Sequence, residues 1–156
     1  MVKILYIVRS LALDGGVERI ITEKMNYLAN RLGYDVSVIT CFQINELKKN
    51  TFYLSEKVKQ INLQIPFHTQ YKYKYPKRLW IKWELNKQLK KTIQQTIQKI
   101  NPDIIIALSY FYADFICSIP CHAVKIIESH EARDHTLSTR NHTEKYSLLK
   151  YFYLNL

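Results

Sequence analysis

A glycine pair, Gly15 and Gly16, stands between an apolar run and a helix-like pattern in the segment SLALDGGVERIITEKM. Backbone amides at the start of a helix, together with the helix dipole, favour an anion such as a diphosphate. Glycine also lets a ligand approach the backbone closely. The pair therefore predicts a phosphate-binding loop; the alternative is a tight turn with positive φ that holds no ligand.

A histidine, His130, follows a second apolar run in the segment IIESHEARDH. At the end of a strand it could donate a hydrogen bond to a bound ligand, or act as an acid or base near neutral pH. The alternative is a histidine on the surface, or one that contacts the residues of a site without contacting the ligand. The next histidine is His135 and no H-E-x-x-H motif is present, so a metalloprotease is not expected.

Alternating strands and helices must position these residues. Five apolar runs predict strands at residues 4–8, 36–42, 58–63, 104–108 and 124–128. Runs such as ILYIV and DIIIAL are continuously apolar, which is typical of parallel strands covered on both faces. Helices are predicted at about 17–32, 77–100 and 113–119 and from 141 onward, and the polar crossover 42–57 predicts at most a short or irregular helix.

The helix patterns are specific enough to predict faces and ends. In the first helix, apolar residues recur at helical spacing and predict one buried stripe: Ile20, Ile21, Met25, Leu28 and Leu32. Asp14 or Gly15 is the predicted N-terminal cap, and Gly33 ends the helix. The second helix has its own stripe, Ile81, Leu85, Leu89, Ile93, Ile97 and Ile100, and Pro102 ends it.

This alternation predicts an α/β, Rossmann-like, doubly wound parallel sheet with the usual strand order 3-2-1-4-5. Ligands of such sheets bind outside the carboxyl ends of the strands, where the strand order reverses. The site is therefore expected between strands one and four. The strand ends supply these candidates: Arg9, Ser10 and Asp14 from strand one, Ser109 and Tyr110 from strand four, and Ser129, His130 and Glu131 from strand five.

Composition narrows the partners. The net charge of +10, from 23 basic and 13 acidic residues, favours nucleic acid, phosphorylated ligands or an anionic membrane. No signal peptide or membrane-spanning run is visible, so a cytoplasmic protein is expected. No G-x-G-x-x-G motif is present, which argues against a nicotinamide dehydrogenase.

The three cysteines, Cys41, Cys117 and Cys121, are expected to be buried and reduced. The spacing Cys117-x3-Cys121-His122 lacks a second ligand pair, so no metal is expected.

A basic, aromatic stretch, QYKYKYPKRLWIKWELNKQLKK, is the other unusual segment. Between Tyr71 and Lys91 it has eight basic residues and one acid, Glu84, for a net charge of +7. On a helical wheel several residues lie away from the apolar stripe: Trp80, Trp83, Lys87, Lys90 and Lys91. This composition is typical of a helix on an anionic membrane.

The helical wheel of this stretch is imperfect, and two other interpretations fit its composition. Arg78 and Lys82 fall on the apolar side of the wheel, so the helix is expected to start late or bend. A solvated basic helix whose tryptophans pack under a neighbouring loop is one alternative. Single-stranded nucleic acid is another, although no RNA-binding motif supports it.

Taken together, several segments resemble one family. The segment KILYIVRSLALDGGVERIITEKMNYLANRLGYDVSVIT is similar to the N-terminus of family 4 glycosyltransferases, which have the GT-B fold. NPDIIIALSY resembles the fourth strand of that family, and KIIESHEA resembles its fifth, which ends in histidine. Gly-Gly-x-Glu-Arg is the most specific of these features, and the region from Phe42 to Tyr75 matches poorly.

The resemblance implies a retaining transferase that moves a sugar from a nucleotide-sugar to a glycan or lipid-linked acceptor, as in surface polysaccharide assembly, without a metal or other cofactor. It implies that Gly15 and Gly16 approach the donor diphosphate or the acceptor and that His130 contacts the donor sugar. Glu18 and Arg19 would fix the loop to the helix.

By the same resemblance, residues 1–156 are the N-terminal, acceptor-side domain of such an enzyme. A C-terminal domain would supply most of the donor site, so this chain alone is expected to be inactive. The alternatives are a non-catalytic domain that binds an acceptor or a membrane, and a basic nucleic-acid-binding module.

Overall fold

A computed structural model gives the three-dimensional structure of the chain and describes residues 1–42, 50–108, 113–128 and 130. The strands are β1 (Lys3–Val8), β2 (Asp35–Thr40), β3 (Lys59–Asn62), β4 (Ile104–Ala107) and β5 (Val124–Ile127). The helices are α1 (Gly16–Asn30), α2 (Lys77–Ile100) and α3 (Ala113–Ser118), and a 3₁₀ helix spans Phe67–Lys72. The helix predicted from residue 141 onward lies outside the described residues.

The five strands form one sheet in the order β3-β2-β1-β4-β5, and every neighbouring pair is parallel. This confirms the predicted α/β, Rossmann-like architecture and its strand order. The direction of strand addition reverses between β1 and β4. The carboxyl ends of these two strands therefore form the switch point at which ligands of such sheets bind.

The central strands are buried on both faces, as their continuous apolar sequences predict. In β1, every residue from Ile4 to Val8 is buried. Strand β2 ends at Thr40, two residues before its predicted end. The chain bends there, although Cys41 N–H still donates to the Val8 carbonyl and Phe42 N–H to the Arg9 carbonyl.

Helix α1 packs on one face of the sheet. Its buried residues are Ile21, Thr22, Met25 and Ala29. Ile20 and Leu32 were predicted in the buried stripe, but they are 45% and 48% exposed, so that part of the prediction was wrong. Leu32 lies beyond the helix end, where Gly33 turns the chain with φ +70° as predicted.

Helix α2 packs on the opposite face and has the predicted bounds. Its predicted stripe forms one core with both central strands: Leu85, Leu89, Ile93 and Ile97 are buried, and Ile81 and Ile100 are partly buried. Asn101 adopts a left-handed conformation with φ 51°, and Pro102 follows it, so the helix ends at Ile100.

Two further predictions concern the second crossover and the possibility of a membrane-spanning helix. Of the crossover predicted at 42–57, the structure describes residue 42 and residues 50–57, and these contain no helix. Within the described ranges, no helix has both the length and the apolar character needed to cross a bilayer.

Candidate functional site

Three strand ends lie level at the carboxyl edge of the sheet. Ile7 pairs with Ala107, and Ala107 pairs with Ile127. One residue later, Leu108 N–H donates to the Ile7 carbonyl at 3.1 Å, and Glu128 N–H donates to the Ala107 carbonyl at 2.9 Å. Because neighbouring strands are about 4.8 Å apart, β1 and β5 are separated by about 10 Å.

The glycine loop lies at this edge and opens α1. Gly15 is the N-cap, with an extended conformation of φ −111° and ψ 152°, and Gly16 is the first helical residue. Gly33 is the glycine with positive φ in the described chain, so the positive φ that the tight-turn alternative assigns to Gly15 or Gly16 was wrong. Gly15, rather than Asp14, caps the helix.

Gly16 is not required by the fold. A Cβ atom placed on Gly16 would meet nothing within 4 Å in the described structure. The helix N-terminus is thus open at this residue, in the direction where a side chain would otherwise project. A group from outside the chain has room to approach the backbone there.

Gly15 differs from Gly16 because a side chain covers it. A Cβ atom on Gly15 would collide with the Glu18 carboxylate. That carboxylate lies in the first turn of α1, where the positive end of the helix dipole stabilises negative charge. Glu18 therefore covers Gly15 and occupies part of the space that an anion approaching Gly15 would use.

Arg19 joins the loop to α1 through its backbone, because its N–H donates to the Gly15 carbonyl at 3.2 Å, while its side chain pairs further along the helix. Its Nε atom lies 2.9 Å from Glu23 Oε1, one turn further along α1, and both side chains are largely exposed. Such i,i+4 pairs support a helix by only a few tenths of a kcal/mol. The Arg19 side chain therefore supports α1 itself rather than the loop.

The predicted residues from strand one lie around the same loop. Arg9 is exposed, and its guanidinium carbon lies 5.7 Å from the centre of the Phe42 ring. The Ser10 hydroxyl accepts a hydrogen bond from Ala12 N–H at 3.1 Å, so its first role is to shape the loop. Asp14 is exposed at the tip.

His130 faces a carboxylate at the end of β5. Its Nε2 atom is buried and lies 3.0 Å from Glu128 Oε1, without hydrogen-bond alignment. The same oxygen of Glu128 accepts a hydrogen bond from Lys24 Nζ of α1. Glu128 therefore joins the histidine to α1. Burial, with a smaller contribution from Glu128, also raises the pKa of nearby Tyr6 to about 12.

Glu128 and Lys24 are the two residues that the sequence prediction missed. Glu128 could have been found, because residues i and i+2 of an extended chain point to the same side, and it stands two before His130. Lys24 carried no comparable signal, since it lies 104 residues away and its approach depends on how α1 packs.

Four candidates remain untested by geometry. Ser109, Tyr110, Ser129 and Glu131 lie outside the described residues.

The basic, aromatic stretch forms the start of α2. Trp80 and Trp83 are 60% and 58% exposed, so the alternative in which they pack under a loop was wrong. The helix begins at Lys77 without the late start expected from Arg78 and Lys82. Lys87, Lys90 and Lys91 are exposed, and Lys90 Nζ lies 5.4 Å from the centre of the Phe115 ring in α3.

Within the described ranges, no group of three or more His, Cys, Asp or Glu residues could hold a metal ion. All three cysteines are reduced. Cys41 is buried and Cys121 is partly buried, but Cys117 is exposed, contrary to the prediction, because it lies on the outer side of α3.

Comparison of the sequence with protein-family models and with curated proteins finds no match.

Proposed function

We propose that this chain is the acceptor-side, N-terminal half of a retaining GT-B glycosyltransferase, which transfers a sugar from a nucleotide-sugar to a glycan or lipid-linked acceptor. One observation carries the proposal: Gly16 leaves an open helix N-terminus at the switch point of the sheet. His130 follows β5 at the same edge. The family resemblance of the glycine loop and of the fourth and fifth strands supports the same function.

In this proposal, the α1 N-terminus attracts a phosphate-bearing or otherwise anionic group. The Glu18 carboxylate lies against Gly15 and must move aside if that group approaches Gly15, whereas the approach to Gly16 is already open. A second α/β domain would supply the remaining contacts of the nucleotide-sugar. The reaction site would lie between the two domains.

His130 would contact the sugar through the nitrogen that faces away from Glu128. Nε2 faces the Glu128 carboxylate at 3.0 Å, so Nδ1 is the ring nitrogen left for a sugar hydroxyl. Lys24 holds the carboxylate from the other side. Glu128 and Lys24 are therefore positioning residues in this proposal, because they act through the histidine.

The test is sugar transfer by the protein expressed from its whole gene, with labelled nucleotide-sugars and a lipid extract as acceptor. We expect His130→Ala and Gly16→Val each to reduce the rate at least tenfold. Gly16→Val is informative because the fold leaves space for the Cβ atom that it adds. If both variants transfer sugar at the wild-type rate, this site is not the reaction site.

A non-catalytic domain that binds an acceptor is the second candidate, and Glu18 favours it. Its carboxylate already occupies the anion position beside Gly15. This candidate predicts acceptor binding without nucleotide-sugar binding, and Glu18→Gln would then not create an affinity for nucleoside diphosphates. Calorimetric titration of the protein with uridine diphosphate and guanosine diphosphate separates the two candidates.

Our proposal places the protein in the cytoplasm, peripherally on the inner face of the cell membrane, where a lipid-linked acceptor would be found. The basic surface around the start of α2 supports this placement, since it carries exposed tryptophans among cations. Cell fractionation tests it: we expect the protein in the membrane fraction at low salt and its release at high salt.

A further inference from the structure

The start of α2 and the segment before it form a surface almost without acids. Between Glu56 and Asp103 the chain has eleven basic residues and one acid, Glu84. Every residue from Tyr71 to Trp80 is exposed. We call the exposed side chains between Tyr71 and Lys87 the aromatic–basic surface.

Cations of this surface are held by aromatic rings. The guanidinium carbon of Arg78 lies 4.5 Å from the centre of the Tyr71 ring, and Lys77 Nζ lies 4.6 Å from that of Tyr73. Among the described residues, neither cation forms an ion pair with a carboxylate. Cation–π contacts orient a positive charge without neutralising it, so the charge remains available to an external anion.

A cleft of about 530 Å³ opens in this surface, between the 3₁₀ helix and the first turns of α2. Three tyrosines and three cations contribute to its lining: Tyr71, Tyr73, Tyr75, Lys74, Arg78 and Lys82. This combination presents hydroxyl and cationic donors together, which is suited to the oxygen atoms of a phosphate group.

An amide also lines the cleft. Gln70 is only 7% exposed as a whole residue and belongs to the lining. Its side chain adds an amide to the hydroxyl and cationic groups there, which can also bond to the oxygen atoms of a phosphate group.

Apolar side chains continue from the cleft along α2. Leu79 lines the cleft, and Trp83 lies one turn further on the same side of the helix. Lys87 follows after another turn, with its Nζ 5.2 Å from the centre of the Trp83 ring. Tryptophan beside lysine on an exposed helix face is typical of the head-group level of a membrane.

We propose that the cleft binds the phosphodiester head group of an anionic membrane lipid, while Leu79, Trp80 and Trp83 insert beside it at head-group level. One cleft of this size suits a single head group. Single-stranded nucleic acid would need a groove that follows several phosphates, with rings that stack on successive bases. The proposal does not depend on sugar transfer, since it assigns only a docking surface.

The test is flotation of the protein with phosphatidylcholine vesicles that either contain or lack phosphatidylglycerol. We expect binding only to the anionic vesicles, and weaker binding as salt rises. Arg78→Gln/Lys82→Gln should lower the partition coefficient by roughly tenfold or more, because each basic residue near an anionic surface contributes appreciably to binding. Trp80→Ala/Trp83→Ala should lower it as well.

A matched control removes the same number of positive charges from another part of the protein surface. Arg31 and Lys99 are exposed and lie outside the aromatic–basic surface, so Arg31→Gln/Lys99→Gln should leave the partition coefficient within about twofold. Gln70→Leu keeps a similar side-chain size and removes the amide. It should reduce the preference for the anionic head group while the thermal melt shows an intact fold.

Three outcomes would overturn the proposal. The first is equal loss of vesicle binding in the surface and control variants, and the second is equal binding to vesicles without anionic lipid. The third is tighter, competing binding of a single-stranded oligonucleotide or of inorganic phosphate. Failure of vesicle binding would leave sugar transfer to a water-dissolved acceptor unchanged, so the two proposals can fail separately.

Discussion

The carboxyl edge of the sheet and the aromatic–basic surface differ in how their charges are paired. At the edge, Glu128 is shared by Lys24 and His130, and the Glu18 carboxylate lies against Gly15 at the start of α1. On the aromatic–basic surface, Arg78 and Lys77 face tyrosine rings and, within the described chain, no carboxylate.

This difference indicates two kinds of site. Paired charges hold side chains in one geometry and contribute little long-range attraction, which suits a position where a small ligand must be oriented. Cations without acidic partners keep their long-range field, which suits a surface that attracts a large anionic partner before close contact.

The largest expected effect is on sugar transfer. His130→Ala should lower the transfer rate by about a hundredfold, which is the lower range for a group that aids proton transfer or positions a reacting sugar. Vesicle binding should not change. His122→Ala is the matched control, because His122 lies at the opposite end of β5, 3.7 Å from Asp103; it should keep the wild-type rate. A similar loss in both variants would refute a specific role for His130.

The next largest effect is expected from salt concentration, which should weaken vesicle binding much more than it slows sugar transfer. Raising the salt concentration from low to near 1 M shortens the Debye length to about 3 Å, so vesicle binding should fall at least tenfold. Transfer to an acceptor dissolved in water should change less than twofold, because the edge charges are paired at contact distance. Equal sensitivity of both measurements would mean that the two surfaces act as one electrostatic unit.

Gly16→Ala should give effects of opposite sign on stability and binding. Alanine at the first turn of α1 has free space and is a better helix former, so stability should rise by up to about 1 kcal/mol. Binding of the phosphate-bearing ligand should weaken, because the methyl group enters the open space. Chemical denaturation and calorimetry measure the two effects.

Gly33→Ala is the control for that variant. Gly33 has φ +70°, so the same added methyl group should destabilise the protein there by about 1 kcal/mol and leave ligand binding unchanged. If Gly16→Ala also destabilises the fold, then Gly16 is structural and the proposed ligand approach loses its main support.

The smallest effect is expected at the amino edge of the sheet, which carries a paired charge without a proposed function. The hydrogen bond from Lys3 N–H, and then His122, lower the pKa of Asp103 below its ordinary value. A lowered carboxyl pKa contributes stability above the unfolded-state value of about 3.9, and this contribution is lost as pH falls through the folded-state value.

Wild type should therefore lose more stability on acidification from pH 6 to pH 3 than Asp103→Asn does. Urea denaturation at the two pH values measures this. The transfer rate and vesicle binding of the variant should equal those of wild type, since Asp103 belongs to neither region. A larger acid loss in Asp103→Asn than in wild type would contradict the assignment.

The sequence by itself determined the architecture of this protein, because the signals involved are local. Continuous apolar runs predicted five parallel strands, and helical spacing predicted α2 from Lys77 to Ile100 with its buried stripe. The strand order was then taken as the usual one of a doubly wound sheet, and the structure has that order. His130 could be placed at the carboxyl edge because it stands three residues after the last residue of β5.

Only the tertiary structure decided which side chains meet, because local sequence patterns do not determine the packing angles between helices and strands. The stripe of α1 was misjudged at Ile20, since both it and Ile21 fit the helical period and the docking angle selected one. Lys24 and Glu128 are far apart along the chain and meet through that same docking. The cleft beside Gln70 likewise exists only because the 3₁₀ helix folds back against the first turns of α2.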